Sequence, residues 1–243
     1  MRLILIITTI IFIVYGCNHP NYVLSTQQQK EDVKINETNL KINTSITPYK
    51  QKVDSITNSV IAYAEGVFNK EGDNYSLGNF SCDGIYYMAT LHYKFPINIV
   101  LLNKGGLRVN LPKGEIKTSN LFELMPFENE LVLCKLKGKY LLEGSKILID
   151  KKAAFYGMKI NGDVTNYKIT LNNIPIHQDT VYTILTSDYL ANGGDNFSFL
   201  KNSIELKFLN LKIRDALIEY CKLLTSQNKT LKPYTDDRFS LSK

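Results

Sequence analysis

Three short segments gather the side chains that could hold a ligand. Asn103-Lys104-Gly105-Gly106-Leu107-Arg108 follows an apolar run. Its glycines, Gly105 and Gly106, allow a sharp turn and close backbone approach, and Arg108 brings a permanently charged planar fork suited to phosphate or carboxylate. Met125-Pro126-Phe127-Glu128-Asn129 sets an aromatic ring and an amide on a proline-stiffened stretch. Asp188-Tyr189-Leu190-Ala191-Asn192-Gly193-Gly194-Asp195 places Tyr189 and Asp195 on either side of a turn built on Gly193 and Gly194. Singly, each has an ordinary reading as a turn, a surface ion pair, a core aromatic or a turn carboxylate. Together, two aromatic faces, a guanidinium and a carboxylate on glycine-rich loops are what a nucleotide requires: stacking for the base, acceptors for the ribose hydroxyls, a cation for phosphate.

Composition narrows what else the chain can do. Hydrophobic residues make up 44% of the 243 residues and charged residues 21%, a globular balance with enough chain to bury a core without staples. Lys+Arg 29 against Asp+Glu 23 gives a net charge of +6. The lysines are scattered rather than gathered with aromatics on one surface, which argues against a nucleic-acid polymer as partner. The histidines are His19, His92 and His177, and no His-x-His or His-Glu-x-x-His occurs. A self-contained dinuclear metal site is therefore not expected. Cys82, Cys134 and Cys221 are widely spaced and odd in number; they read as buried apolar thiols, with one disulfide and a spare thiol as the alternative.

The N-terminus reads as an export signal. Arg2 precedes an almost unbroken apolar run from Leu3 to Val14, shorter than the roughly 20 residues of a membrane span and suited to a signal peptide. It closes in Val14-Tyr15-Gly16-Cys17, which resembles a bacterial lipobox, the alternative being a plain signal peptide that ends near a cysteine. Residues 1–16 are then a leader and Cys17 the lipidated N-terminus. The expected location is the bacterial cell envelope, outside the cytoplasm, with the membrane as a partner through acyl chains. Residues 17–50, rich in Asn, Gln, Thr, Ser and Lys, read as a flexible tether, and residues 51–243 as one folded domain.

Within that domain, Val53, Ile56, Val60, Ile61, Ala64 and Val67 predict an amphipathic helix over Lys52 to Phe68. A more buried helix is expected over Gly78 to Leu91, and strands over Ile97 to Leu102 and Leu131 to Leu136. Ser119 or Asn120 can cap a short helix ending near Met125. Phe155 to Leu171 reads as a hairpin turning at Asn161-Gly162, and Thr180 to Ser187 as a strand. Ile204, Leu206 and Phe208 alternate with Glu205 and Lys207 as a half-exposed strand, and Ile213, Ala216, Leu217, Tyr220, Cys221 and Leu224 form one face of a closing helix. Helices and strands alternate without a strict βαβ rhythm, so the fold class is α+β, with a mixed sheet and packed helices.

The ordered set NKGGLR, LMPFEN and SDYLANGGDNF resembles the C-terminal, substrate-binding domain of the 5′-nucleotidase family. Ser76-Leu77-Gly78-Asn79-Phe80 with Asp83 resembles that family's Leu-Gly-Asn helix start, and Pro233 to Arg238 its closing strand; the likeness covers about residues 50–243. It implies a base held between Phe127 and Tyr189, ribose hydroxyls on Asp195, phosphate on Arg108 and the base or nearby groups on Asn103, with Asn129 in the same cleft. Where family members often carry a second phosphate-binding arginine, before the Leu-Gly-Asn segment, this chain has only Lys70. The resemblance also implies that two divalent metals and their Asp, His and Asn ligands belong to a metallophosphatase domain that is missing here, so no cofactor is expected in this chain and a separate metallophosphatase is its expected partner. The expected ligand is a nucleoside monophosphate or related nucleotide. Alternatives are a nucleotide- or nucleoside-binding lipoprotein with no catalytic partner, and a degenerate fold kept as an interaction module.

Overall fold

The computed structural model describes residues 40–242; the leader, Cys17 and most of the tether lie outside the described residues. In chain order the helices are α1 (Leu40–Thr57), α2 (Ser76–His92), α3 (Thr118–Leu124), α4 (Gly138–Glu143), α5 (Ser145–Asp150), α6 (Asp188–Ala191) and α7 (Ile213–Ser226). The strands are β1 (Val60–Ala64), β2 (Ile99–Leu102), β3 (Gly114–Lys117), β4 (Glu130–Lys137), β5 (Ala154–Tyr156), β6 (Met158–Asp163), β7 (Tyr167–Leu171), β8 (Ile174–Pro175), β9 (Val181–Ser187), β10 (Glu205–Lys212) and β11 (Phe239–Ser242). Contacts divide the chain at Ser45, and the elements of the candidate site all belong to the unit that follows it.

The central sheet runs β10-β4-β9-β2-β5 and is mixed: β2 and β9 are parallel, every other neighbouring pair antiparallel. All four residues of β2 are buried, which accounts for its unbroken apolar sequence, because this strand is covered on both faces. Val100 and Leu102 join Leu131, Leu133 and Leu185 in a core closed by α2 and α7. Ile99 and Leu101 point the other way, into a second core with Val132, Ile184, Leu141, Leu148 and Phe197. A four-stranded sheet, β11-β6-β7-β8, flanks the second core. The α+β architecture expected from the sequence is the one observed.

Several elements depart from the sequence reading. The helix expected over Lys52–Phe68 is divided: α1 ends at Thr57, and Val60–Ala64 forms a strand paired with β3. The apolar positions of 60–64 satisfy either period, and a partner strand some fifty residues away decides. Val53 and Ile56 are left exposed at 57% and 54%. Residues 40–50, within the stretch read as tether, are helical. The hairpin forms but turns after Asn161-Gly162, both of which stay in β6 opposite Lys168 and Tyr167. Asp163 closes the turn instead, its Oδ1 accepting from the backbone N–H of Thr165 (2.8 Å) and Asn166 (2.7 Å). Asn120 caps α3 from inside the helix, through its Oδ1 and the Lys117 N–H (2.8 Å). Leu206 and Phe208 face solvent on the edge strand β10, and the stretch read as a closing strand, Pro233–Arg238, is irregular, with β11 starting at Phe239.

That irregular stretch ends in a densely connected side chain. Arg238, 8% exposed, donates to Asp83 Oδ1 (2.8 Å) and Oδ2 (3.1 Å), to Asp236 Oδ1 and Oδ2, and to the Phe155 carbonyl (2.9 Å). One guanidinium thus ties the C-terminal strand to α2 and β5. Burial opposes ionisation of Asp236, but the hydrogen bonds from Arg238 outweigh it and hold the carboxyl below its usual range. Stability from that pair is present above the unfolded carboxyl's pKa and lost as pH falls through the lowered one. Arg238→Ala leaves Asp83 facing a half-dry pocket, and we expect about 2–3 kcal/mol of destabilisation, read as a lower urea midpoint at unchanged slope. The cysteines Cys82, Cys134 and Cys221 are free and buried. Burial pushes the Cys134 thiol up to about 11 and Cys221 up to about 12, so neither is an available nucleophile at neutral pH.

Candidate functional site

Strand direction brings the three segments together. β2 and β9 are parallel, with Ile99 opposite Ile184, so their carboxyl ends lie side by side. β4 is antiparallel to β9, with Leu131 opposite Ser187, which puts the start of β4 at that same end. The chain leaving β2 carries Asn103 to Arg108, the chain entering β4 carries Phe127 and Asn129, and the chain leaving β9 carries Tyr189 and Asp195. A cleft of about 310 Å³ opens there, lined by Asn103, Arg108, Phe127, Asn129, Tyr189 and Asp195, with Gly105 and Gly106 in its wall. That volume suits a small ligand. Leu102, Met125 and Ile213 supply an apolar floor.

Both rings are available to a ligand: Phe127 is 51% exposed and Tyr189 46%. A Cβ on Gly194 would stand 2.4–2.5 Å from three ring carbons of Tyr189. Near-equal distances to ring atoms place it over the ring face, so one face of Tyr189 lies on the Gly194 backbone and the opposite face is left for a ligand. Gly193 and Gly194 thus act beneath the cleft rather than in its lining. The turn runs through the left-handed region, with Gly193 at φ +82°, Asp195 at +51° and Asn196 at +70°, and glycine, aspartate and asparagine are the residues that enter it most readily. Tyr189 holds it: its hydroxyl accepts from the Asp195 N–H (3.1 Å) and donates to Asp195 Oδ1 (3.2 Å).

Asn103 Nδ2 donates to Asp195 Oδ2, so the Asp195 carboxylate is oriented through both oxygens. A carboxylate offers about four lone-pair positions, which leaves acceptor capacity toward the cleft. The Arg108 guanidinium donates from Nη1 to the Gly105 carbonyl (3.1 Å) and sits 5.9 Å from the Phe127 ring centroid. Its backbone N–H binds the Leu124 carbonyl (2.9 Å), joining the first loop to the end of α3. Lys70 does not reach the cleft; its ammonium donates to the Leu107 carbonyl (3.0 Å) and supports the Arg108 backbone from behind. Asn129 has a partner that the sequence reading passed over, Asp188, whose Oδ1 accepts from Asn129 Nδ2 (2.8 Å) and from the Tyr189 N–H (2.7 Å). Ser187 caps α6 through the Leu190 N–H (3.1 Å). The signal for both was in the Ser-Asp pair directly before Tyr189, a helix-start pattern.

The sequence model of the 5′-nucleotidase C-terminal domain matches residues 55–202. The chain belongs to that family. Apyrase from Tabanus yao is 30% identical in an alignment 196 positions long that covers 68% of this chain and 35% of the apyrase. Human 5′-nucleotidase is 24% identical in an alignment 195 positions long that covers 69% of this chain and 33% of that protein. Among solved structures, the 5′-nucleotidase precursor from Thermus thermophilus superposes with a TM-score of 0.70 at 23% identity, over 83% of this chain and 43% of that one; at that identity the likeness speaks for the fold. The chain matches only about a third of these curated relatives' length. Among the described residues no group of three His, Cys, Asp or Glu side chains is placed to hold a metal ion. His92 pairs instead with Glu219 (2.6 Å) at the surface, and neither His92 nor His177 lines the cleft.

Proposed function

We propose that this domain binds a nucleoside monophosphate in the cleft at the strand ends and presents its phosphate to a metallophosphatase centre carried on another chain. The observation that carries this is one cleft lined by two half-exposed rings, a guanidinium and an oriented carboxylate. The base stacks between Phe127 and Tyr189, the ribose hydroxyls donate to Asp195, and Arg108 meets the phosphate. Asn103 and Asn129 tie the three loops through Asp195 and Asp188. The role of this chain's own residues is to bind and orient; bond cleavage belongs to the partner. With Cys17 lipidated, the domain works at the outer side of a bacterial membrane, held by acyl chains.

One observation favours a second reading, a nucleotide- or nucleoside-binding lipoprotein without a catalytic partner. Among the described residues lining the cleft, Arg108 supplies the one cation. Two measurements separate the readings. Calorimetry on the purified chain should give roughly micromolar affinity for AMP, and tighter binding than adenosine. Phosphate release from AMP with divalent metal should require an added chain bearing Asp-x-His and Gly-Asn-His-Glu metal motifs. Strong hydrolysis by the isolated chain overturns the two-chain reading; adenosine bound as tightly as AMP supports the non-catalytic one; binding of neither overturns both.

A further inference from the structure

The loop that carries Phe127 is held by three consecutive residues at the junction of β10 and α7. The Ile213 N–H donates to the Asn129 carbonyl (3.0 Å). Lys212 Nζ binds one oxygen of the Glu128 carboxylate and Arg214 Nη2 the other. Arg214 Nη1 donates to the Met125 carbonyl (3.3 Å) and reaches the Phe127 carbonyl at 3.5 Å. The guanidinium carbon also lies 4.0 Å from the centroid of the Phe122 ring on α3.

Arg214 is 4% exposed, and its Nε makes no hydrogen bond. Burying a guanidinium in this way is costly, and a helix start at this position needs no such group for packing. What the fork does is bridge two main-chain carbonyls on either side of Pro126 and a carboxylate one residue beyond, a geometry an ammonium cannot reproduce. We propose that Arg214 is a positioning residue: it holds the 125–129 loop so that the Phe127 ring stands as a cleft wall, and so sets affinity for the aromatic part of a ligand it does not itself contact. The substrate consequence rests on the nucleotide reading; the positioning role does not. Hydrogen bonds from Lys212 and then Arg214 hold the Glu128 carboxyl down to about 2. The clamp is therefore intact above the ordinary carboxyl range and is lost only as pH falls toward that value.

The chain contains no tryptophan, so Phe127→Trp introduces a sole indole that reports on the wall itself, while AMP affinity is measured with Phe127 in place. In both backgrounds, Arg214→Met keeps side-chain volume and removes the fork; Arg214→Lys keeps the charge. Both should raise acrylamide quenching of the indole and lower its anisotropy, and both should weaken AMP binding roughly tenfold or more, as displaced contacts do. Leu148→Ala, in the second core, serves as the stability control: it lowers the melting temperature and leaves quenching and affinity unchanged. Unchanged quenching in both Arg214 variants overturns the positioning role. Rescue by Arg214→Lys overturns the requirement for the fork. Looser indole with unaltered AMP affinity overturns the link to ligand binding, whereas a looser indole in a protein that never binds AMP supports the positioning role and overturns the nucleotide reading instead.

Discussion

Combining Phe127→Ala with Tyr189→Ala takes AMP binding below detection while the melting temperature moves by only a few degrees. Stacking on an aromatic side chain contributes about 1–3 kcal/mol per base, so each single variant should lose roughly five- to hundred-fold and the pair their product, within the coupling expected of neighbours. The two are not equivalent. Tyr189→Ala also frees the Asp195 N–H and one carboxylate oxygen and so disturbs the ribose acceptor, whereas Phe127→Ala removes a wall and little else. Tyr189→Phe separates these contributions, keeping the ring and losing the hydroxyl. Both rings are about half exposed, so their removal opens no core cavity and stability is largely spared. Calorimetry with AMP, alongside thermal melts, checks this; full affinity in the double variant would remove the stacking assignment.

The second large effect is at Asp195. Hydrogen bonds to a charged acceptor are worth about 1.5–3 kcal/mol, so losing the carboxylate should weaken AMP on the order of a hundredfold. Asp195→Asn is the sounder substitution, because alanine tolerates φ +51° poorly and asparagine tolerates it well. The decisive comparison uses a ligand lacking the hydroxyls. The native chain should prefer AMP over its 2′,3′-dideoxy analogue, and Asp195→Asn should bind the two almost alike. A preference that survives the substitution places the ribose elsewhere. In either variant the Asn103 amide loses its anionic acceptor, and Asn103→Ala combined with Asp195→Asn should add little further loss, since the two act as one unit.

Both expectations follow from how the cleft is built. The three loops come from sheet positions that are neighbours in space and distant in sequence, and each is cross-braced to another: Asn103 to Asp195, Asn129 to Asp188, the Arg108 backbone to Leu124. Disturbing one brace shifts two walls. Gly194→Ala tests the same logic from below, since its Cβ would enter the Tyr189 ring.

What the sequence determined on its own was local chemistry and strongly patterned elements. The helix at Ser76–His92 and the closing helix at Ile213–Ser226 were legible from apolar residues recurring at helical spacing, and the buried strand at Ile99–Leu102 from a short unbroken apolar run between Pro96 and the Gly105-Gly106 turn. Arg108, Phe127, Tyr189 and Asp195 stood out as candidates by their types beside paired glycines, while roles for Asn103 and Asn129 came only with the family resemblance; the fold lines one cleft with all six. The local pattern reads as helix at Val60–Ala64 and as a turn at Asn161-Gly162, and the fold overrides both readings. A distant strand takes each segment into a ladder, β3 pairing with residues 60–64 and β11 with residues 160–163. Arg214 was not legible as part of the site, for it reads as one more charge at a helix start until tertiary packing buries it against the Met125–Asn129 loop. The cleft itself belongs to the same class: parallel pairing of β2 with β9, and antiparallel pairing of β4, bring three loops to one end of the sheet, and strand pairing is a property of the folded chain rather than of any segment within it.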